Sequence, residues 1–302
     1  MHTAFVDCDS NADVEEAIVR GLRAVDAPED TEVRVCGDIA REISQFQGLP
    51  YSADRPGGIV GGRTFLSPDG GPVIFLNNAS LADEDVNGSS TPLEAVERLA
   101  AHEGCHASMD ARGESLNEAD LVGLTVPASL MRQMTDISIA EFRAESAVRT
   151  AGYSGPRHND DRLAGVVAAM FEVLTDPASA DPETFARAAA PICQSYIVDL
   201  SIAAAWGEAL GPPELSPLFD RGNSSRLYQA LQDLPPADVN MDQFNKVLDS
   251  LTPLVVGAVL DVGFEWTDGP YGGWGAYRRA SDELLDRRVA ITSRWYQTQM
   301  SD

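Results

Sequence analysis

The chain has 302 residues, which is enough for one large domain or two small ones with an ample core. Its formal net charge is −25, from 47 Asp and Glu against 22 Lys and Arg. Such a charge repels a phosphate backbone and an anionic membrane surface, so we expect neither nucleic acid nor a membrane as a partner.

The N-terminus, the apolar runs and the cysteines together predict a cytoplasmic protein. The first residues lack the basic segment and the long apolar run of a signal peptide. No stretch reaches about 18 uninterrupted apolar residues, so no transmembrane helix is predicted. The cysteines are scattered without a C-x-x-C pair, which favours free thiols in a reducing compartment. They are Cys8, Cys36, Cys105 and Cys193.

Periodicity and turn residues divide the first part of the chain into four predicted segments: a helix over 13–27, a strand over 31–36, a helix over 39–46 and a loop over 51–62. Asp13 is the predicted N-cap of the first helix. Glu16 follows three residues later as its capping-box partner.

A β-hairpin is predicted next, because the apolar runs 63–66 and 73–76 flank the turn sequence Ser-Pro-Asp-Gly-Gly-Pro. An exposed edge strand can pair with an extended peptide by β-augmentation. The sequence does not identify which strand forms the edge, although Pro72 is compatible with such a position.

A capped helix carries the central motif. Thr91, Pro92 and Glu94 form a capping box with proline at the first helical position. An apolar stripe then leads into His102-Glu103-Gly104-Cys105-His106, which reads H-E-x-x-H.

Residues four apart lie on one face of a helix, so His102 and His106 can hold one Zn²⁺. Glu103 lies one step round the helix, where it can act as general base on a zinc-activated water. The alternative is an ordinary helix with two core or solvated histidines.

A catalytic zinc site needs a third protein ligand. A second predicted helix begins at Pro127 and ends with Glu141 and Glu145, again four apart. Glu141 is the predicted third ligand, with Glu118 in reserve. Glu145 is then placed to accept the free N–H of a ligand histidine and fix its tautomer. The alternative is a solvated acidic face paired with the arginines at positions 143 or 149.

H-E-x-x-H on one helix followed by E-x-x-x-[DE] on the next resembles the gluzincin branch of the zincin metallopeptidases. Glu141-Phe142-Arg143-Ala144-Glu145 is similar to the E-x-x-A-D form of the second motif, with Glu145 where Asp is usual. The resemblance runs from about Pro72 to Thr150. It implies that Glu141 binds zinc and that Glu145 supports a histidine.

The remaining sequence predicts mainly helices, over 161–174, 182–210, 224–234, 240–262 and 280–299. Pro191 and Pro253 are expected to split or kink two of them. Residues 263–275 predict an aromatic, glycine-rich loop. His158 and Tyr153 are candidate donors to the oxyanion of a zincin reaction, with a plain surface loop as the alternative.

We therefore predict an α+β protein with a zincin-like core over residues 1–150 and a mostly helical region over 151–302 packed on it. The predicted function is zinc-dependent hydrolysis of peptide bonds in a peptide or protein substrate. The alternatives are a zinc hydrolase of a non-peptide amide or ester and a non-catalytic binding or regulatory protein with the same fold. The sequence does not indicate an oligomeric state.

Overall fold

The computed structural model describes residues 1–55, 58–81, 91–116, 118–155, 159–208, 222–235, 241–268, 275–279 and 290. It has a mixed α+β architecture with a small four-stranded sheet. The chain divides into two compact units. The first contains Met1–Ser115, Arg143–His158 and Pro236–Met241, and the second contains Leu116–Phe142, Asn159–Pro235 and Asp242–Asp302. The predicted boundary after residue 150 falls inside one segment of the first unit.

The strands of the first unit are β1 His2–Val6, β2 Glu32–Cys36, β3 Asp54–Arg55, β4 Gly58–Ile59, β5 Gly62–Leu66 and β6 Pro72–Asn77. The main sheet has the order β1-β2-β6-β5, with the first three parallel and β5 antiparallel to β6. The predicted strand at 31–36 and the predicted hairpin are confirmed. In the described part of the chain β5 forms one edge of this sheet, while Pro72 begins the interior strand β6 and pairs with Leu66.

Three helices of the first unit cover the sheet: α1 Ala12–Ala24, α2 Ile39–Gln47 and α3 Pro92–Ala111. Helices α1 and α3 share one apolar cluster with the sheet, which includes Ile18, Leu22, Val35, Leu76 and Leu99. Helix α2 packs on the other face, where Ile43 and Phe75 are fully buried. Because α3 shares this cluster with the sheet, its apolar stripe faces the core as the sequence predicts.

Two N-terminal predictions are wrong. Strand β1 was not predicted, because the strand with which it pairs, β2, lies far along the chain. The N-cap of α1 is Asn11, whose side chain accepts from the N–H groups of Asp13 and Val14 at 3.0 and 3.3 Å. Asp13 instead lies in the first turn, where its charge favours the helix dipole. The predicted loop at 51–62 also contains the short strands β3 and β4.

Two glycines allow α1 and α3 to approach closely. A Cβ built on Gly21 would lie 2.1 Å from the carbonyl oxygen of Glu97, so no side chain fits there. Gly104 of the motif faces α1 as well, and its Cβ would meet Leu22 and Val25 at 3.0 and 3.1 Å. The face of α3 that carries Gly104 is therefore used for packing.

Helix α4 Val126–Thr150 is continuous and contributes to both units, its last residues belonging to the first. The second unit also contains α5 Asn159–Thr175, α6 Pro182–Trp206, α7 Asn223–Gln232, α8 Met241–Asp261 and the hairpin of β7 Phe264–Asp268 with β8 Gly275–Arg279. The predicted helices up to α8 are confirmed, and the one at 280–299 lies outside the described residues apart from residue 290. Strand β7 replaces part of the predicted loop at 263–275, and residues 269–274 are outside the described part.

Caps and buried side chains explain where the helices of the second unit begin. Asp181 accepts the Thr184 N–H at 2.8 Å at the start of α6. Asp261, the last residue of α8, accepts the Ser224 N–H at 2.8 Å and so caps α7. Pro191 and Pro253 lie inside α6 and α8, and neither proline splits its helix as predicted.

One described segment, Thr184–Trp206, is long and apolar enough to cross a membrane by length and composition. The segment contains no long uninterrupted apolar run, because polar residues are interspersed along α6. In its most apolar window 72% of the segment is buried inside the protein, which is typical of the core helix of a soluble protein.

We predict that Gly21→Ala destabilises the protein by about 1–3 kcal/mol, because the new methyl group overlaps a helix backbone that cannot move without repacking. Gly104→Ala is the matched control. Its neighbours are mostly side-chain tips, and alanine gains about 1 kcal/mol of helix propensity, so its net effect is smaller. Urea unfolding measures the free energy of unfolding of both variants. Equal losses of this free energy would contradict this account of the contact between α1 and α3.

Candidate metal centre

The motif helix begins as predicted. Thr91 is the N-cap of α3 and accepts the Glu94 N–H at 3.2 Å, with Pro92 at the first helical position. The helix then continues without interruption through His102 and His106. The two imidazoles face each other, with their Nε2 atoms 3.1 Å apart.

A buried ion pair orients His102. Its Nδ1 lies 3.0 Å from Oε1 of Glu145 as an ion-pair contact, and Oε2 of the same carboxylate accepts from Arg98 Nη2 at 2.7 Å. The side chains of Arg98 and Glu145 are 5% and 4% exposed. Since an ionised carboxylate only accepts hydrogen bonds, Glu145 favours the tautomer with the proton on Nδ1. The Nε2 atom of His102 then presents its lone pair towards His106.

Glu141 joins the two histidines. It lies one turn before Glu145 on α4, and the ligand atoms of His102, His106 and Glu141 all lie within 4.8 Å of one another. This group could bind a metal ion.

The donor set fits zinc. Two nitrogens that are each ~2.05 Å from a tetrahedral Zn²⁺ lie about 3.3 Å apart, close to the 3.1 Å between the two Nε2 atoms. Two imidazoles and one carboxylate are also the protein ligands of one class of catalytic zinc sites, which leave a fourth position for water. The chemistry of the side chains therefore agrees with the predicted cofactor.

Glu103 lies against the edge strand. The Thr64 hydroxyl contacts both Oε2 of Glu103, at 2.7 Å, and the carbonyl oxygen of the same residue, at 3.1 Å. A Cβ on Gly62 would lie 2.7 Å from Oε1 of Glu103, so only glycine leaves room for this carboxylate. Glu103 is 4% exposed, and strand β5 therefore determines where its carboxylate lies.

Burial favours the neutral form of His106. Burial lowers the pKa of His106 well below its usual value, and His102 and Arg63 lower it further by charge repulsion. A neutral imidazole is the form that binds a metal. Cys105, between the ligands in sequence, is buried in the packed part of α3, and burial raises the pKa of its thiol to about 12. Its thiol is thus not activated.

The other predicted residues have different positions. The Tyr153 hydroxyl donates a hydrogen bond to Glu97 Oε1 at 2.9 Å. Burial, and to a smaller extent this hydrogen bond, raises the pKa of the phenol. The Tyr153 hydroxyl therefore binds Glu97, which precedes the H-E-x-x-H motif on α3. We assign Tyr153 no role in stabilising an oxyanion. His158 lies outside the described residues, as does the side chain of Glu118.

Arg143, one of the two arginines in the predicted alternative, is paired with Glu114. Arg143 donates to Glu114 at 2.8 Å, on the opposite side of α4 from Glu141 and Glu145, because two residues correspond to about 200° of helix rotation. Arg112 donates to the same carboxylate at 2.7 Å. Glu114 and Arg143 are buried and Arg112 is exposed, and together they join the end of α3 to α4.

Two contributing residues were missed in the sequence. Arg98 precedes His102 by four residues, so its place on the histidine face was available from helix periodicity. Thr64 gave no such signal, because its contact with Glu103 depends on how the hairpin packs on α3. Among the described residues all four cysteines are free thiols, as expected.

No family model, curated protein or solved structure matches the chain.

We predict that Arg98→Met destabilises the protein by about 3–5 kcal/mol, because it leaves the buried Glu145 carboxylate without its cation. The control is Arg20→Met. Arg20 pairs with Glu97 at 2.8 Å, but its side chain is 45% exposed, so solvent screens the pair and its loss is expected to change stability much less. Thermal unfolding compares the stability of the two variants. Similar losses of stability would show that the ion pair of Arg98 with Glu145 does not contribute much to the stability of the fold.

Proposed function

We propose that this protein is a zinc-dependent metallopeptidase with a zincin-like core, of the gluzincin type that its two motifs resemble. The observation that supports this most is the convergence of three groups around one point: the paired Nε2 atoms, the Glu141 carboxylate and the Glu145 support of His102. A purely structural zinc site would need neither an open ligand position nor an acidic neighbour such as Glu103.

In this proposal His102, His106 and Glu141 hold the ion, and Glu145 keeps His102 in the metal-binding tautomer. When bound, zinc supplies Lewis-acid polarisation of a carbonyl and a water molecule that ionises near neutral pH. Arg98 holds Glu145 in place, so it is a positioning residue.

Glu103 is the general base. It takes a proton from the attacking water while the water oxygen bonds to the carbonyl carbon, and it then gives this proton to the amine as the C–N bond breaks. The Thr64 hydroxyl donates to Oε2 at 2.7 Å, and this contact fixes the orientation of the carboxylate.

The edge strand supports a peptide as the substrate. Strand β5 pairs with β6 on one side, and in the described part of the chain no strand pairs with its other side. The strand that positions Glu103 can therefore also bind an extended peptide backbone by β-augmentation. We propose that the protein hydrolyses peptides or proteins in the cytoplasm and that it has no nucleic acid partner.

We predict that Glu103→Gln abolishes hydrolysis and keeps the bound zinc, because the amide has the same shape and cannot accept the proton. The measurement is cleavage of a broad peptide mixture by mass spectrometry beside zinc content by atomic emission. Cleavage by a fully zinc-loaded Glu103→Gln protein at the wild-type rate would refute the role of Glu103. Cleavage of amide or ester compounds and of no peptide would point to a different hydrolase.

We also predict that Thr64→Val lowers the hydrolysis rate by about tenfold, in the range of one lost charged hydrogen bond. Thr64→Ser keeps the hydroxyl group and is expected to stay near the wild-type rate. Equal rates for the two variants would show that the 2.7 Å contact does not orient the base.

A further inference from the structure

We propose that a cavity in the second unit, formed by α4, α8 and β7, is a binding site for a small, uncharged and largely apolar molecule. This site goes beyond the proposed peptidase function and does not depend on it. Among the described residues that line the cavity there is no proposed zinc ligand. The proposal follows from the volume of the cavity, from the apolar side chains at its mouth and floor, and from the pairing of its basic residue.

The cavity has the size of a small-molecule site. Its volume is about 600 Å³, and small-molecule sites in proteins have volumes of about 300–1,000 Å³ with mostly apolar and aromatic linings. Its walls are the start of α4 with the two residues before it, the face of α8 that carries Thr252 and Val256, and residues 264–266. An empty apolar space loses packing contacts along its lining. A ligand that restores these contacts is therefore bound favourably.

The lining is apolar from the mouth of the cavity to its floor. Val259 and Phe264 line the floor and are almost completely buried. Leu124, Val256 and Leu260 line the mouth and are between 38% and 45% exposed. Single exposed apolar residues need no explanation, but a group of them around a cavity is typical of a binding site.

The depth of the cavity favours a compact ligand. An amphipathic peptide helix binds in a groove through side chains that are spaced along its length. This cavity instead extends inward from the exposed Val256 to the buried Phe264. A small molecule can fill such a space, whereas a helix would cover only its mouth.

The basic residue of the described wall is already engaged. Arg132 pairs with Asp249 through Nη1 and donates to Asn245 through Nη2 at 3.2 Å. The Thr252 hydroxyl donates to the carbonyl oxygen of Leu248 at 2.7 Å. These groups therefore complete their contacts within the protein and do not require a charged ligand.

The remaining charge of the wall disfavours an ionic ligand. Asp249 and Glu265 give the described wall one more acidic than basic side chain, so a carboxylate head group is repelled. An ammonium group would lose its hydration in an apolar cavity, and Asp249 is already occupied by Arg132. The lining therefore selects an uncharged molecule, such as a medium-chain alcohol.

The test compares three eight-carbon probes that differ only in their head group: 1-octanol, octanoate and octylammonium. Binding to the full chain is measured by titration calorimetry at neutral pH, beside the shift in thermal unfolding that a ligand of the folded state causes. Ala128→Phe and Val256→Phe each add a ring to the cavity from an exposed position, on α4 and on α8. Gln133→Phe is the matched control, because Gln133 is exposed on α4 and does not line the cavity.

We expect wild type to bind one 1-octanol per chain, at least about tenfold more tightly than either charged probe, because an ion loses its hydration in the cavity. Ala128→Phe and Val256→Phe are expected to lower the affinity for 1-octanol by about tenfold or more, because the added ring occupies the space of the ligand. Gln133→Phe is expected to keep the wild-type affinity.

Three results would overturn the proposal: no binding of 1-octanol by folded wild type up to the solubility of the probe, tighter binding of a charged probe, or wild-type affinity in a folded Ala128→Phe or Val256→Phe protein. A model amphipathic peptide helix is titrated in parallel. Binding of this helix without binding of 1-octanol would assign the cavity to a protein partner and would also overturn the proposal. Because no zinc and no cleavage enter these measurements, a failure here is distinguishable from a failure of the peptidase proposal.

Discussion

The buried contact between Arg98, Glu145 and His102 is the constraint on which the candidate centre depends. A carboxylate with almost no solvent is stable only with a partner, and Arg98 supplies a cation at 2.7 Å. The same carboxylate lies 3.0 Å from His102 Nδ1, so it links α3 to α4 and selects the tautomer of a histidine. Glu141 is one helical turn away on α4, and its position follows from that of Glu145.

Helix α3 combines packing and chemistry by separating them on its surface. Gly104 and the apolar stripe face α1 and the sheet, while His102 and His106 face the carboxylates of α4. Glu103 lies between these faces, against Gly62 and Thr64 of the edge strand. One side of α3 therefore packs closely against α1, which explains why glycine occurs inside this helix. Another side of α3 faces charged partners.

Much of this arrangement was predictable, because its signals are local. The capping box at Thr91, the hairpin turn and the helix that begins near Pro127 each depend on neighbouring residues, and the structure confirms them. Strand β1 and the Thr64 contact depend on partners far along the chain, which periodicity does not specify. The Asn11 cap was missed because Asn11 and Asp13, two residues apart, both have a side chain that can cap a helix.

The central claim is that His102, His106 and Glu141 hold one zinc ion, and metal content tests it most directly. Wild type, His106→Ala and Glu141→Ala would be reconstituted with zinc, dialysed and analysed by atomic emission, with His2→Ala as a control for a histidine outside the site. The account predicts about one zinc per chain in wild type and in the control, as in a single catalytic site, and a large loss in both site variants. Wild type without bound zinc, or Glu141→Ala with an unchanged zinc content, would contradict it.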